Sequence, residues 1–142
     1  MKTVMDNEDA LDSLFIDKPG PDPAPLVARI VHPYIRLVRE TGEVLTTDQW
    51  RKLNLQGKVL MYLLGRKALS MKEALPESEI EAASPAQIAK DTGLNPDSVR
   101  PTLSRLKDDR LVRSDRENNY WVPDYALPRI EEILGDKGEN HQ

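Results

Sequence analysis

Residues 84–122 read SPAQIAKDTGLNPDSVRPTLSRLKDDRLVRSDRENNYWV, and the local chemistry of this stretch decides the fold. Ser84 suits a helix N-cap, Pro85 suits the first helical position, and Gln87 stands three residues after the cap. That is a capping box, which predicts a helix beginning there. Its inward residues are Ile88 and Ala89. Gly93 should end it, because glycine accepts the left-handed conformation just past a helix. Asn95 then caps a second helix with Pro96 at its first position. Val99, Leu103 and Leu106 recur at helical spacing, so one face of this helix is expected to be buried. Leu111, Val112 and Arg113 read as a short strand, Asp115 to Asn119 as a turn, and Tyr120, Trp121 and Val122 as the returning strand.

Helix, tight turn, helix and hairpin, in that order, resemble the winged helix-turn-helix of many bacterial and archaeal regulators. Three residues carry the resemblance within the motif. Ala89 is small where two helices must cross, Gly93 lies at the turn, and Val99 lies on the inner face of the second helix. The likeness covers roughly residues 55 to 122. It implies a mainly α fold with a small β-hairpin wing, extended by extra N-terminal helices. It also implies that the second helix enters the DNA major groove.

Composition limits the alternatives. A chain of 142 residues is one domain plus tails. It has no cysteine, so disulfides and thiolate metal sites are excluded. His32 and His141 are far apart, which argues against a metal site. The longest apolar run, Val59 to Leu64, is too short to span a membrane, and Met1 to Ala10 lacks the apolar core of a signal peptide. A cytoplasmic protein without cofactor is expected. The net charge of −4 is accounted for by residues 1–24, where Lys2 and Lys18 face Asp6, Glu8, Asp9, Asp12, Asp17 and Asp22. Residues 84–122 hold seven basic and six acidic side chains, so phosphate contact must come from local placement of Arg and Lys.

Along the chain, residues 1–24 are acidic and proline-rich, and disorder is expected. Leu11, Leu14 and Phe15 form an apolar cluster there, read either as part of a solvated tail or as a short helix that docks on a partner protein. Residues 25–41 place Leu26, Val27, Ile30, Val31, Tyr34, Leu37 and Val38 on one stripe, which predicts a helix. Pro33 would kink it, or start a new helix capped by His32. Thr46 with Gln49 predicts a short helix over 46–53, and a longer one follows over 55–75, ended by Pro76. Ile80 is the candidate for a minimal first strand. After Val122, residues 128–134 should form a helix stopped by Gly135, and residues 136–142 a polar tail. Residues 25–54 are assigned to dimerisation, because the helices of 25–41 and 46–75 carry more apolar surface than one small domain can cover.

The candidate DNA-binding residues follow from the helix geometry. On the second helix these are Asn95, Asp97, Ser98, Arg100, Thr102, Ser104, Arg105 and Lys107, and Gln87 stands on the helix before it. Arg suits bidentate contact with phosphate and guanine. The hydroxyls of Ser98, Thr102 and Ser104 can reach phosphates. Pro96 and Pro101 have no donors, so base readout rests mainly on Arg100. The hairpin offers Arg113, Arg116, Asn118 and Asn119 to phosphates or the minor groove, with Asp115 and Glu117 repelling phosphate between them. Trp121 is read as a core or interface side chain. Asp91-Thr92-Gly93 matches a short string of aspartic proteases, but it falls at a helix end, and no catalytic constellation accompanies it. The expectation is a DNA-binding protein, a transcriptional regulator or an accessory factor of DNA maintenance. It would act on double-stranded DNA as a homodimer, mainly through phosphate contacts. The alternative is a winged-helix module that binds only proteins.

Overall fold

The computed structural model describes residues 10, 11, 14, 22–75 and 80–139, with side chains up to residue 135. The chain is mainly helical with two small antiparallel hairpins. In order it forms α1 (Ala24–Val31), β1 (Ile35–Leu37), β2 (Val44–Thr46), a 3-10 turn (Asp48–Lys52) and α2 (Leu55–Met71). Then come α3 (Pro85–Thr92), α4 (Pro96–Asp108), β3 (Arg113–Ser114), β4 (Tyr120–Trp121), a second 3-10 turn (Asp124–Ala126) and α5 (Leu127–Glu139).

Helix α2 is the axis of the molecule. Every residue from Val59 to Leu64 is at most 3% exposed. A helix apolar on all sides must lie inside, and α2 is contacted by α1, β1, β2, α3, α4 and β4. Its start is fixed by Asn54, whose Oδ1 accepts the Gly57 N–H at 2.8 Å. It ends at Met71, short of the expected 75. The terminator is Glu73, at φ 52°, with the Ala74 N–H donating to the Leu69 carbonyl at 2.8 Å and the Glu73 N–H to Ser70 at 3.0 Å. This pair of bonds is a Schellman ending. Pro76, the expected terminator, lies outside the described residues.

The helix expected over 25–41 stops at Val31. Pro33 has no N–H and cannot extend the helical ladder. The chain instead turns, with the Tyr34 N–H donating to the Val31 carbonyl at 2.9 Å. Ile35, Arg36 and Leu37 then pair with Thr46, Leu45 and Val44. Ile35 is buried and Arg36 exposed, the alternation of a strand. Tyr34, Leu37 and Val38 fit a helical stripe equally well, which is why the sequence misleads here. The hairpin lies close against α2 at Gly65, where an added Cβ would sit 2.9 Å from Ile35 Cδ1. The next helix start also shifts. Thr46 belongs to β2, and Thr47 is the cap, its Oγ1 accepting the Gln49 N–H at 3.2 Å.

One hydrophobic cluster runs from Val27 to Leu134. Of the apolar residues that motivated the homodimer, Val27, Ile30, Val31, Ile35 and Trp50 are buried within the chain, while Leu37 is half-buried. At the other end, Leu127, Ile130 and Leu134 point inward as expected, but α5 continues through the exposed Gly135 to Glu139. Arg29 and Glu131 join α1 to α5 through two bonds of 2.6 and 3.1 Å. No described helix is long and apolar enough to cross a membrane.

The expectations for residues 1–21 fall mostly outside the described residues, Phe15 included. Leu11 and Leu14 are described, and the Leu14 N–H donates to the Leu11 carbonyl at 2.9 Å. Of the expected C-terminal tail, residues 140–142 lie outside the described residues.

Candidate nucleic-acid interface

The α3–α4 corner is built as its residues dictate. Ser84 Oγ accepts the Gln87 N–H at 3.1 Å, which starts α3. Gly93 takes φ 76°, and its N–H donates to the Ala89 carbonyl at 2.9 Å, which ends it. Asn95 Oδ1 accepts the Asp97 N–H at 2.8 Å, which starts α4. Val99, Leu103 and Leu106 are 0% exposed, and this face packs α4 against α3 and α2.

With that face sealed, the rest of α4 faces water. Asp97, Arg100, Pro101, Ser104, Arg105 and Lys107 are exposed, and Ser98 and Thr102 are half-buried. The Thr102 hydroxyl donates to the Ser98 carbonyl at 2.8 Å, so its proton is engaged within the helix rather than offered outward. Pro101 does not break the helix. It removes the donor that would meet the Asp97 carbonyl, in the exposed first turns. Arg100 lies 3.8 Å from the Asp97 carboxylate, with both side chains largely in solvent. Asn95 and the backbone of Gln87 are committed to capping.

Helix α4 ends in a second Schellman turn. Arg110 is at φ 64°, its N–H donates to the Lys107 carbonyl at 3.0 Å, and the Leu111 N–H donates to Leu106 at 2.9 Å. This turn directs Leu111 and Val112 into the core, so the strand begins at Arg113 rather than Leu111. Arg113 pairs with Trp121 and Ser114 with Tyr120. The residue that adds a further edge is Ala83, not Ile80. Ala83 and Tyr120 exchange backbone bonds of 2.9 and 2.8 Å, while Ile80 is 60% exposed.

The hairpin turn is organised by Asp115, a role the sequence reading had not given it. Its Oδ1 accepts the N–H groups of Glu117 at 2.9 Å and Asn119 at 3.0 Å, and Asn118 sits at φ 64°. The Asn119 backbone N–H leads the effects that hold the Asp115 carboxyl below the ordinary carboxylate range. Arg113, Arg116 and Asn118 are exposed. The Arg113 guanidinium stands 5.9 Å from the centre of the half-buried Trp121 ring, a cation–π arrangement that restrains Arg113 without neutralising it.

Two residues of structural weight were missed in the sequence. Arg66 and Lys67 are 4% and 6% exposed within α2. Arg66 Nε donates to the Glu81 carbonyl at 3.0 Å, and its guanidinium also reaches the Ile80 carbonyl. Lys67 donates to the Val122 carbonyl at 3.0 Å and pairs with Asp124 at 2.5 Å and Glu81 at 3.8 Å. Together they tie the segment before α3 and the exit of β4 to the central helix. The available signal was two adjacent cations just after the apolar run of Val59 to Leu64. Burial raises the carboxyl of Glu81 above its usual range, and Lys67 opposes that shift. Nearby, the Tyr62 hydroxyl donates to Asp91, and burial followed by that bond raises the phenol far above its ordinary value. Asp91, of the protease-like string, thus fastens α3 to α2. Among the described residues, no three His, Cys, Asp or Glu side chains gather as a metal site would need.

No family model, curated protein or solved structure matches this chain.

Proposed function

We propose that α3, α4 and the β3–β4 hairpin form a winged helix-turn-helix that binds double-stranded DNA mainly through phosphate, in a transcriptional regulator or an accessory factor of DNA maintenance. The observation that carries this reading is the division of α4. One face is wholly buried, and the other presents Arg100, Ser104, Arg105 and Lys107 to solvent. The glycine turn before it and the hairpin after it, with Arg113 and Arg116 exposed, supply the order of elements in that class. Affinity should be electrostatic, because the first turns of α4 carry Pro96 and Pro101 and few donors. The reading holds for one chain and does not depend on a dimer.

A second reading, a winged-helix module that binds protein, is favoured by the Asp97–Arg100 pair, which lowers the charge offered to a groove. Fluorescence anisotropy with an unspecific duplex across a salt series separates the two. DNA binding through about 2–4 phosphates per chain gives a log–log salt slope of about −2 to −4. No anisotropy change at low salt and high micromolar protein would leave the protein-binding reading standing.

A further inference from the structure

We propose that a shallow groove between β1 and the C-terminal turn of α2 docks the chain's own segment 8–17. The groove, of about 120 Å³, is lined by Leu37, Arg39, Ala68, Leu69, Lys72 and Ala74. Its floor is apolar, and Arg39 and Lys72 are exposed at its rim. Segment 8–17 reads EDALDSLFID, the chemical complement of that surface. Leu11, Leu14 and Phe15 fall at helical spacing, with Glu8, Asp9, Asp12 and Asp17 around them. In the structure Leu11 and Leu14 are 59% and 75% exposed, and Leu37, Ala68 and Ala74 at the groove are half-buried, so both places offer apolar surface to solvent among the described residues.

The tether permits the contact. From Phe15 to the start of the described body at Asp22 is a reach of at most about 25 Å, against a radius of gyration of about 13 Å for a body of this size. Tethering also sets the effective concentration in the millimolar range, so a weak contact closes within one chain before it closes between chains. The apolar pair enters the groove, and the acidic side chains meet Arg39 and Lys72. This docking is independent of the DNA reading, since none of its residues belongs to α4 or the β3–β4 hairpin.

The chain has no cysteine, so an Asn7→Cys variant of the full-length protein carries a nitroxide at one place. Paramagnetic broadening of backbone amides is then read by NMR. Docking predicts that the amides of Leu37–Arg39 and Ala68–Ala74 lose more than half their intensity, with the far side of the body unchanged. Leu11→Asp with Leu14→Asp, outside the folded body, should restore them, and Arg39→Glu with Lys72→Glu should do the same in a protein whose spectrum stays dispersed. Broadening spread evenly over the surface, or localised broadening that survives Leu11→Asp with Leu14→Asp, overturns the proposal. So does equal broadening in a mixture of isotope-labelled chain with separately spin-labelled chain, because that contact is between copies.

Discussion

The ammonium of Lys67 lies 2.5 Å from a carboxylate oxygen of Asp124, and the same group donates to the Val122 carbonyl at 3.0 Å. This buried cation is what joins the end of the β3–β4 hairpin to the central helix. Asp124 is 65% exposed on its side chain, so it rehydrates easily, whereas a buried carbonyl without a donor is costly. Lys67→Met is expected to cost about 1–3 kcal/mol, and Asp124→Asn less, because an asparagine there still offers an acceptor to the ammonium and Glu81, 3.8 Å away, still faces it. Urea unfolding of both variants checks the order. A larger loss for Asp124→Asn than for Lys67→Met would contradict it.

Glu81 predicts a pH dependence from the same cluster. Burial raises its carboxyl above the ordinary value, so the folded state holds the proton more tightly than the unfolded chain. The stability this contributes is complete below the unfolded value of about 4.3 and is lost as pH rises through the raised folded value. Glu81→Gln never ionises, and Lys67 retains Asp124. This variant should therefore be more stable than the parent at neutral pH, with the difference shrinking as pH falls through the raised folded value toward that of the free carboxyl. Urea midpoints at two pH values test this, and an unchanged difference would refute it.

Arg100 and Arg105 should part company on DNA. Arg105→Ala is expected to weaken binding to two unrelated duplexes alike. Arg100→Ala should also lose sequence preference, by about 1–3 kcal/mol where it contacts guanine bidentately. Neither belongs to the buried Val99–Leu103–Leu106 face, so thermal melts should stay unchanged. Full binding by the double variant with an unaltered melt would remove α4 from the DNA site.

Asp115 should govern order in the hairpin turn. Its carboxyl lies below the ordinary range because the ionised form accepts backbone N–H groups, led by that of Asn119. A depressed folded value means the stabilisation is present above the unfolded value and is lost as pH falls through the folded one. Asp115→Ala should speed hydrogen exchange at Glu117 and Asn119 at neutral pH while leaving α3 and α4 protected. Unchanged exchange at those two amides would show that the turn is held otherwise.

Arg110 and Glu73 both hold left-handed backbone at helix ends, at φ 64° and 52°. A side chain there is strained by about 1–2 kcal/mol, part of which glycine gives back through its freer unfolded chain. Glu73→Gly is expected to raise stability by up to about 1 kcal/mol, measured as a higher melting temperature. A lower melting point would show that the side chain itself contributes more than its backbone costs.

The elements readable in the sequence were those with local causes. Ser84, Gly93 and Asn95 act on backbone groups within a few residues, so the α3–α4 corner was written in the chain itself. The same holds for the buried stripe of α4, whose spacing demands burial whatever covers it. Two things were not local. Whether Ile35–Leu37 is helix or strand depends on its pairing with Val44–Thr46 and on the space that Gly65 leaves beside α2, since its apolar spacing suits both. The burial of Arg66 and Lys67 depends on the carbonyls of Ile80, Glu81 and Val122, brought beside α2 only by the fold. Sequence periodicity states which side chains must leave water, and the tertiary structure alone decides which surfaces receive them.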